Sequence, residues 1–388
     1  MAVISTTSPS PCLLQRHRFS TTSSSTHLHA SLLHNGNFRM PFQGFRPFSF
    51  NWRRRKENFH LFSQSRRHGK VTAAIDDLIS VLGEVEPQQV YDESVEGWSQ
   101  FAKRVSGEWD GFGADFSNQG KTIELPESVV PEAYREWEVK VYDWQTQCPT
   151  LAEPEDHVLK YKSVQLLPTV GCEADAATIY SVDERKVGGE NNGVTSFAYQ
   201  SSGSYIAVWQ KKDNFLELEY CLINPQEFES RVRIIQHIHI VDNTKMVLQS
   251  VRVFREQWYG PFRNGEQLGG CAIRDSAFAS TSPIAASEVA GIWQGSKAVA
   301  TFGTTKTKIF RELVGENVQN SVRDGDKDIL LPKQLWCSLK QNEDGETQSE
   351  VGWLLDHGKA ITASCLFSSP AKLKETSIAL ETRALEYV

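Results

Sequence analysis

From Tyr91 to Val105 apolar residues recur at every third or fourth position, and from Gly107 onward they recur at every second. The first spacing sets Tyr91, Val95, Trp98, Phe101 or Ala102, and Val105 along one helical stripe, with Pro87 near its start. The second spacing predicts strands. SYIAVW (204–209), FLELEYCLI (215–223), RVRIIQHIHIV (231–241) and KMVLQSVRVF (245–254) alternate β-branched or aromatic residues with polar ones, between turns of Gly, Pro, Asn or Asp. Within them Glu217 and Glu219 read as a solvated strand face. Ile75 to Gly83 has the pattern of a further short helix. Many short strands at close spacing predict a mostly β chain, built as an antiparallel sandwich or barrel.

Two regions of the chain match. GEWDG at Gly107 and GIWQG at Gly291 share G-x-W-x-G at an offset of 184 residues, pairing Trp109 with Trp293 and Gly111 with Gly295. Each region also ends in a hairpin pattern, IIQHIHIVDNTKMVLQSVRVFRE (234–256) and ITASCLFSSPAKLKETSIALETR (361–383). A duplicated all-β unit accounts for both matches. The expected organisation is a first barrel with its leading helix over 87–258, a Gly/Ser/Pro-rich linker over 259–287, and a second, shorter barrel over 288–388. Asn317 to Asp328 reads as a polar loop of that shorter barrel.

The first part of the chain does not read as a domain. Residues 1–70 hold eleven Lys or Arg and one acidic residue, Glu57, and twelve of the first thirty residues are Ser or Thr. Such a basic, hydroxylated composition is that of an organellar transit peptide, here over 1–74, ending near the small-residue run Val71 to Ala74. Ser/Thr richness favours a plastid, so the expected location is the chloroplast, in the stroma or peripheral to the thylakoid. A disordered basic tail or a nuclear signal is the alternative. Of 41 basic and 48 acidic residues, removal of this segment leaves 30 and 47, a net charge of about −17. So negative a chain disfavours nucleic acid, whose binding is driven by Lys and Arg. No apolar run approaches the roughly 18 residues of a membrane-spanning helix.

A G-x-W on the first strand, after a short helix and before a meander of strands, resembles the calycin group, which includes the lipocalins. The resemblance implies that Trp109 and Trp293 each close one end of a barrel, with a late-strand Arg packed across the ring. Arg383 matches that Arg in the second unit, and Arg252 and Arg255 both match it in the first. GWSQF (97–101), GSYIAVW (203–209), EVAGIWQG (288–295) and SEVGWLL (349–355) further resemble an uncharacterised two-domain, lipocalin-like family of cyanobacteria and plastids. That likeness spans most of 97–383 and implies two tandem antiparallel calycin-like β-barrels. A more distant likeness, carried by the barrel opening and closing hairpin, is to lipocalin-like lyases that load bilins onto phycobiliproteins.

Familiar chemistry is mostly excluded. The GKT at Gly120 lacks the earlier Gly of a P-loop, because position 115 is Asp115. No dinucleotide fingerprint or G-x-S-x-G elbow is present, so no nucleotide and no catalytic residue is expected. Seven scattered cysteines include no C-x-x-C pair, which removes a structural zinc site. His237 and His239 form an H-x-H on one strand face, but a third ligand is missing from the pattern, so no metal is expected. The aromatics remain. Trp137, Tyr142, Tyr205, Trp209 and Tyr220, with His237 and His239, are candidates to line a cavity for a hydrophobic or tetrapyrrole-like molecule or a lipid. The competing expectation is that these rings simply fill the barrel. Noncatalytic ligand binding is therefore the first reading. An assembly or scaffold factor for photosynthetic or thylakoid complexes is the second, and a pigment lyase or isomerase the third.

Overall fold

The structure is a computed structural model. The chain divides into two units, Met1–Gly83 and Glu84–Val388. The described residues all lie in the second: 93–168, 179–189, 193–212, 214–242, 244–266, 277–303, 309–325, 327–356 and 358–384. The expected transit peptide, the helix over 75–83 and part of the linker lie outside them.

The helical stripe becomes α1 (Glu93–Val105), which buries Trp98, Phe101, Ala102 and Val105. The period-two region then forms β1 (Glu108–Ser117), β2 (Asp143–Gln147), β3 (Thr150–Glu153), β4 (Val158–Leu166), β5 (Ile179–Val187), β6 (Val194–Tyr199), β7 (Tyr205–Gln210), β8 (Phe215–Ile223), β9 (Ser230–Val241) and β10 (Lys245–Gly260). A short α2 (Glu132–Glu136) lies between β1 and β2, and α3 (Ala286–Val289) precedes the second region. That region forms β11 (Gly291–Thr301), β12 (Phe310–Glu312), β13 (Val314–Arg323), β14 (Ile329–Leu331), β15 (Leu335–Gln341), β16 (Thr347–Asp356), β17 (Lys359–Ser368) and β18 (Lys372–Arg383).

The strands make two sheets, and the fold is mostly β. The first is a curled, half-barrel sheet in the order β12-β6-β7-β8-β9-β10-β1-β2-β4-β3, with β5 also on β4. The second runs β13-β11-β18-β17-β16-β15-β14. Among the described residues no hydrogen-bonded seam joins the two ends of either sheet. In the first, α1 touches both terminal strands, β3 and β12, and buries its aromatic stripe between them. β12 belongs to the second region in sequence yet pairs in parallel with β6 of the first sheet.

One face of each sheet packs against the other sheet. Leu218, Tyr220, Ile234 and Val253 of the first meet Cys337, Val351, Ala363 and Cys365 of the second in one buried cluster. A few polar groups register this contact: Gln236 donates to the Ser338 carbonyl, and Ser349 bonds both Gln236 and Tyr220. The opposite face of each sheet is concave and carries the polar side chains of the strand alternation.

The two G-x-W-x-G segments occupy matching positions. Gly107 and Gly291 take φ of 146° and 125°, a conformation that favours glycine. A Cβ at Gly111 would lie 1.8 Å from the Arg255 carbonyl oxygen, and one at Gly295 would lie 2.1 Å from that of Leu380. The Asn317 to Asp328 stretch is not the expected loop, since β13 runs to Arg323 and pairs with β11 from Gly291 to Val299. Residues such as Val318 and Val322 alternate there and satisfy their backbone in the ladder.

Candidate functional site

The concave face of the first sheet has three layers. At one end lie the aromatics under α1, where Trp98, Phe101, Phe197, Tyr199 and Tyr205 pack ring against ring. In the middle is an ionic network whose two carboxylates, Glu219 and Glu256, and two of whose arginines, Arg231 and Arg233, are fully buried. Beyond it, toward the far end, a cavity opens.

The network is built on residues that point inward from adjacent strands. Glu219 of β8 accepts from Tyr205 Oη at 2.9 Å, Trp209 Nε1 at 3.0 Å, Arg185 Nη1 at 3.1 Å and Arg233 Nη1 at 3.3 Å, and also from Tyr161. Glu256 of β10 holds Arg231 Nε at 2.7 Å and Arg233 Nη2 at 2.9 Å. Arg233 also donates to Ser163, and Arg231 to Thr150. Burial alone would raise both carboxyls, but for Glu219 the guanidinium groups of Arg185 and Arg233, and for Glu256 those of Arg231 and Arg233, hold them below the usual range. Burial, and the charge of Glu219, push the Tyr161 and Tyr205 phenols well up, so they stay donors. A buried, fully paired array of this kind orders the site more than it stabilises the fold.

The cavity beyond it measures about 310 Å³. One wall is apolar: Trp144 and Phe254 meet edge to face with ring centroids 6.3 Å apart, and Ile235 joins them. Leu125 and Val129, from the connection between β1 and β2, pack behind this wall. The other wall is charged. Arg185 Nη2 lies 2.9 Å from Glu217 Oε2, and His237 Nδ1 lies 3.4 Å from Glu217 Oε1. Arg252 is gripped by both oxygens of Asp115, at 2.7 and 2.9 Å, and stands over the Trp144 ring at 5.4 Å. Exposed Lys211 reaches Glu217 at 3.2 Å. Burial raises the Glu217 carboxyl, but the His237 hydrogen bond, Arg185 and Lys211 outweigh it and bring its pKa to about 2. At neutral pH it is a fixed anion and offers no proton. Phe215 and His239 stack at 4.6 Å on the same strand face, two residues further along than Glu217 and His237.

The candidates named from sequence fall in different places. His237 lines the cavity, His239 stands on the same face, and Tyr205 and Trp209 belong to the network beneath it. Tyr220 faces the opposite way, into the contact between sheets, where it bonds Ser349. Tyr142 also packs against that inter-sheet cluster. Trp137 is 62% exposed beside Tyr134.

The barrel-closing residues need one correction. Trp109 and Trp293 are both fully buried. The cation over Trp109 comes from Arg231, at 4.2 Å, and not from Arg252 or Arg255; Arg252 stands over Trp144. Arg383 is in register with Trp293, but its Nη2 donates to the Ala290 carbonyl at 2.7 Å, and the cation near Trp293 is Arg323, at 5.8 Å. In both sheets the guanidinium reaches the tryptophan from another strand than the late one expected.

Glu217 and Glu219, expected on a solvated face, are the two acids at the heart of the site. Glu219 has no solvent exposure, because the curled sheet encloses its polar face. The signal in the sequence was E-x-E on β8 and R-x-R on β9. Antiparallel pairing sets Glu217 opposite His237 and Glu219 opposite Ile235, so that Arg233, opposite Cys221, reaches Glu219 diagonally. Among the described residues no group of three or more His, Cys, Asp or Glu is placed to hold a metal ion. No helix among them is long and apolar enough to cross a membrane.

No family model and no curated protein matches the chain in sequence. Among solved structures, a protein of unknown function from the DUF3598 family of Nostoc punctiforme aligns over 74% of this chain and 99% of its own, with 12% identity and a TM-score of 0.46. An S-type phycobiliprotein lyase from Guillardia theta aligns over 44% of this chain and 97% of its own, with 10% identity and a TM-score of 0.23. The cavity's own residues therefore carry the functional reading.

Proposed function

We propose that the protein binds a small, planar, amphipathic molecule with acidic substituents, tetrapyrrole-like in class, in the concave cavity of the first sheet, and does not transform it. The observation that carries this reading is the division of one cavity of about 310 Å³ into an aromatic wall, Trp144 and Phe254, and a charged wall, Arg185, Arg252 and Lys211. That volume is at the lower end of small-molecule sites, roughly 300 to 1,000 Å³. A flat apolar body fits the aromatic wall. Its acidic groups meet Arg252 and Lys211, whose donors are only partly taken up by Asp115 and Glu217. The stacked Phe215 and His239 extend the platform toward solvent for a ligand longer than the cavity.

Thiol chemistry lacks an activated group there. Cys148 and Cys221 are fully buried, and burial pushes both up, Cys221 to about 12. A thiol so placed stays protonated and is a poor nucleophile. The composition of residues 1–70 supports a chloroplast location, in the stroma or at the thylakoid surface. The matched registers of Trp109 and Trp293 support two tandem calycin-like halves, the second shorter.

The test is to purify the full chain from plastids and record its absorbance, then titrate the recombinant chain with biliverdin. A saturable spectral shift is expected, weakened roughly tenfold by Trp144→Ala or Arg252→Gln. No co-purifying pigment together with no biliverdin shift would end this reading.

One observation favours a second reading, an assembly factor for a thylakoid complex. Val314, Val318 and Val322 of edge strand β13, with Ile292 and Leu380 beside them, leave an exposed apolar stripe. Val318→Lys would then release the protein from a complex seen on native gels, while leaving biliverdin binding intact.

A further inference from the structure

The second sheet has a cavity of its own on its concave face, about 330 Å³, and its chemistry is unlike that of the first. We infer that it binds a small hydroxylated anion, of the sugar phosphate class, independently of any ligand in the first sheet.

Three cations enter it. Lys297 on β11 and Lys340 on β15 come from strands near opposite edges of the sheet, and Arg323 comes from the end of β13. Each ammonium has one carboxylate neighbour, Glu375 at 3.2 Å from Lys297 and Asp328 at 2.7 Å from Lys340. An ammonium has three donors, so each retains capacity for a ligand. Arg323 is almost wholly buried and spends Nε on Glu350 at 2.8 Å and Nη2 on Glu381 at 2.8 Å. Its Nη1 is enclosed and has no partner among the described residues. Such an orphaned donor is costly to leave unmade, and an anionic oxygen would satisfy it. Glu350 and Glu381 also line the cavity, and with Glu375 and Asp328 beside the lysines four carboxylates stand against the three cations. The unused ammonium donors and the unpartnered Arg323 Nη1, not the net charge, therefore call for an anionic oxygen.

The remainder of the wall selects the body of the ligand. Ser321, Ser364 and Ser377 present hydroxyls, and among the described residues no aromatic ring lines the cavity, Trp293 and Trp336 being fully buried. A flat ring finds no stacking surface here, whereas sugar hydroxyls find donors and acceptors on several strands. The two sheets pack through their other faces, so the two cavities lie on opposite sides of the contact and need not compete.

The experiment is calorimetric titration of the full chain with glucose 6-phosphate, inorganic phosphate and glucose. Glucose 6-phosphate should bind more tightly than either fragment. Lys297→Gln and Lys340→Gln should each weaken it roughly tenfold. Both lysines are partly exposed, and thermal melts will show that the variants fold; Ala379→Phe, which fills the cavity from β18, provides an independent block. Trp144→Ala should leave the binding unchanged. No heat with any of the three probes overturns the inference. Binding that survives in the folded lysine variants, glucose binding as tightly as glucose 6-phosphate, or tighter binding of free phosphate does so too.

Discussion

Trp109 donates its indole N–H to the carbonyl of Val105, four residues earlier at the end of α1, at 2.9 Å. Trp293 makes the same bond to Val289, at the end of α3, at 2.8 Å. In each sheet a fully buried indole ties the preceding helix to the first strand. At Trp109 the ring also carries the Arg231 guanidinium at 4.2 Å. Trp109→Phe would leave a buried carbonyl unpaired and thin the contact under a buried cation, costing about 2–4 kcal/mol. Trp293→Phe, with a more distant Arg323, should cost less, about 1–3 kcal/mol. Urea unfolding at neutral pH measures both, and equal losses would refute the contribution of the Arg231 contact.

The strands were legible because alternation survives wherever one face is buried against a partner. RVRIIQHIHIV and KMVLQSVRVF lie within β9 and β10, and Trp98, Phe101 and Val105 sit on the buried stripe of α1. The site was less legible because its polar face is also enclosed. Alternation distinguishes two faces but does not say which one meets water. Glu217 and Glu219 therefore looked like surface residues, while Tyr220 looked like a cavity residue and faces the other sheet. The pairing of β12 with β6 had no sequence signal at all, since three residues carry no period.

Gly111 and Gly295 allow their strands to approach β10 and β18 to within contact of a backbone carbonyl. Alanine at either position must push that strand away, because the obstacle is main chain and cannot rotate aside. Gly111→Ala and Gly295→Ala should each cost about 3 kcal/mol. Gly260→Ala, at the end of β10 with nothing within 4 Å of the new Cβ, should change stability by about 0.5 kcal/mol or less. Chemical denaturation of the three variants separates a packing role of the motif from a generic preference for glycine.

Glu219 is the acceptor on which two tyrosines, one tryptophan and two arginines converge. Glu219→Gln preserves its shape but removes the charge that compensates Arg185 and Arg233. Breaking one partner of a buried ionic array costs about 3–5 kcal/mol. The variant should also lose the biliverdin shift proposed for the wild type, because Arg185 forms part of the cavity wall. Full stability of Glu219→Gln in urea would show that the network contributes little to folding.

Stability should respond to pH in opposite directions at two carboxyls. Asp110 is raised from its ordinary 3.8 to about 6, first by burial and then by Glu108 and Glu256, against a lowering hydrogen bond from Gln147. The native state therefore holds a proton that the unfolded chain has already lost, and stability falls as pH rises from about 4 through 6. Asp110→Asn removes that penalty, so its advantage over the wild type should grow across this window and level off above it, at about 1–3 kcal/mol. Glu217 is the reverse case. Burial raises it, but His237 and the nearby cations bring it from its ordinary 4.5 down to about 2. Its contribution is complete above 4.5 and is lost as pH falls toward 2, so the deficit of Glu217→Gln should shrink on acidification. Urea unfolding of the two variants and the wild type between pH 3 and 8 checks both signs. Parallel curves for Asp110→Asn and the wild type would mean that Asp110 ionises normally in the fold.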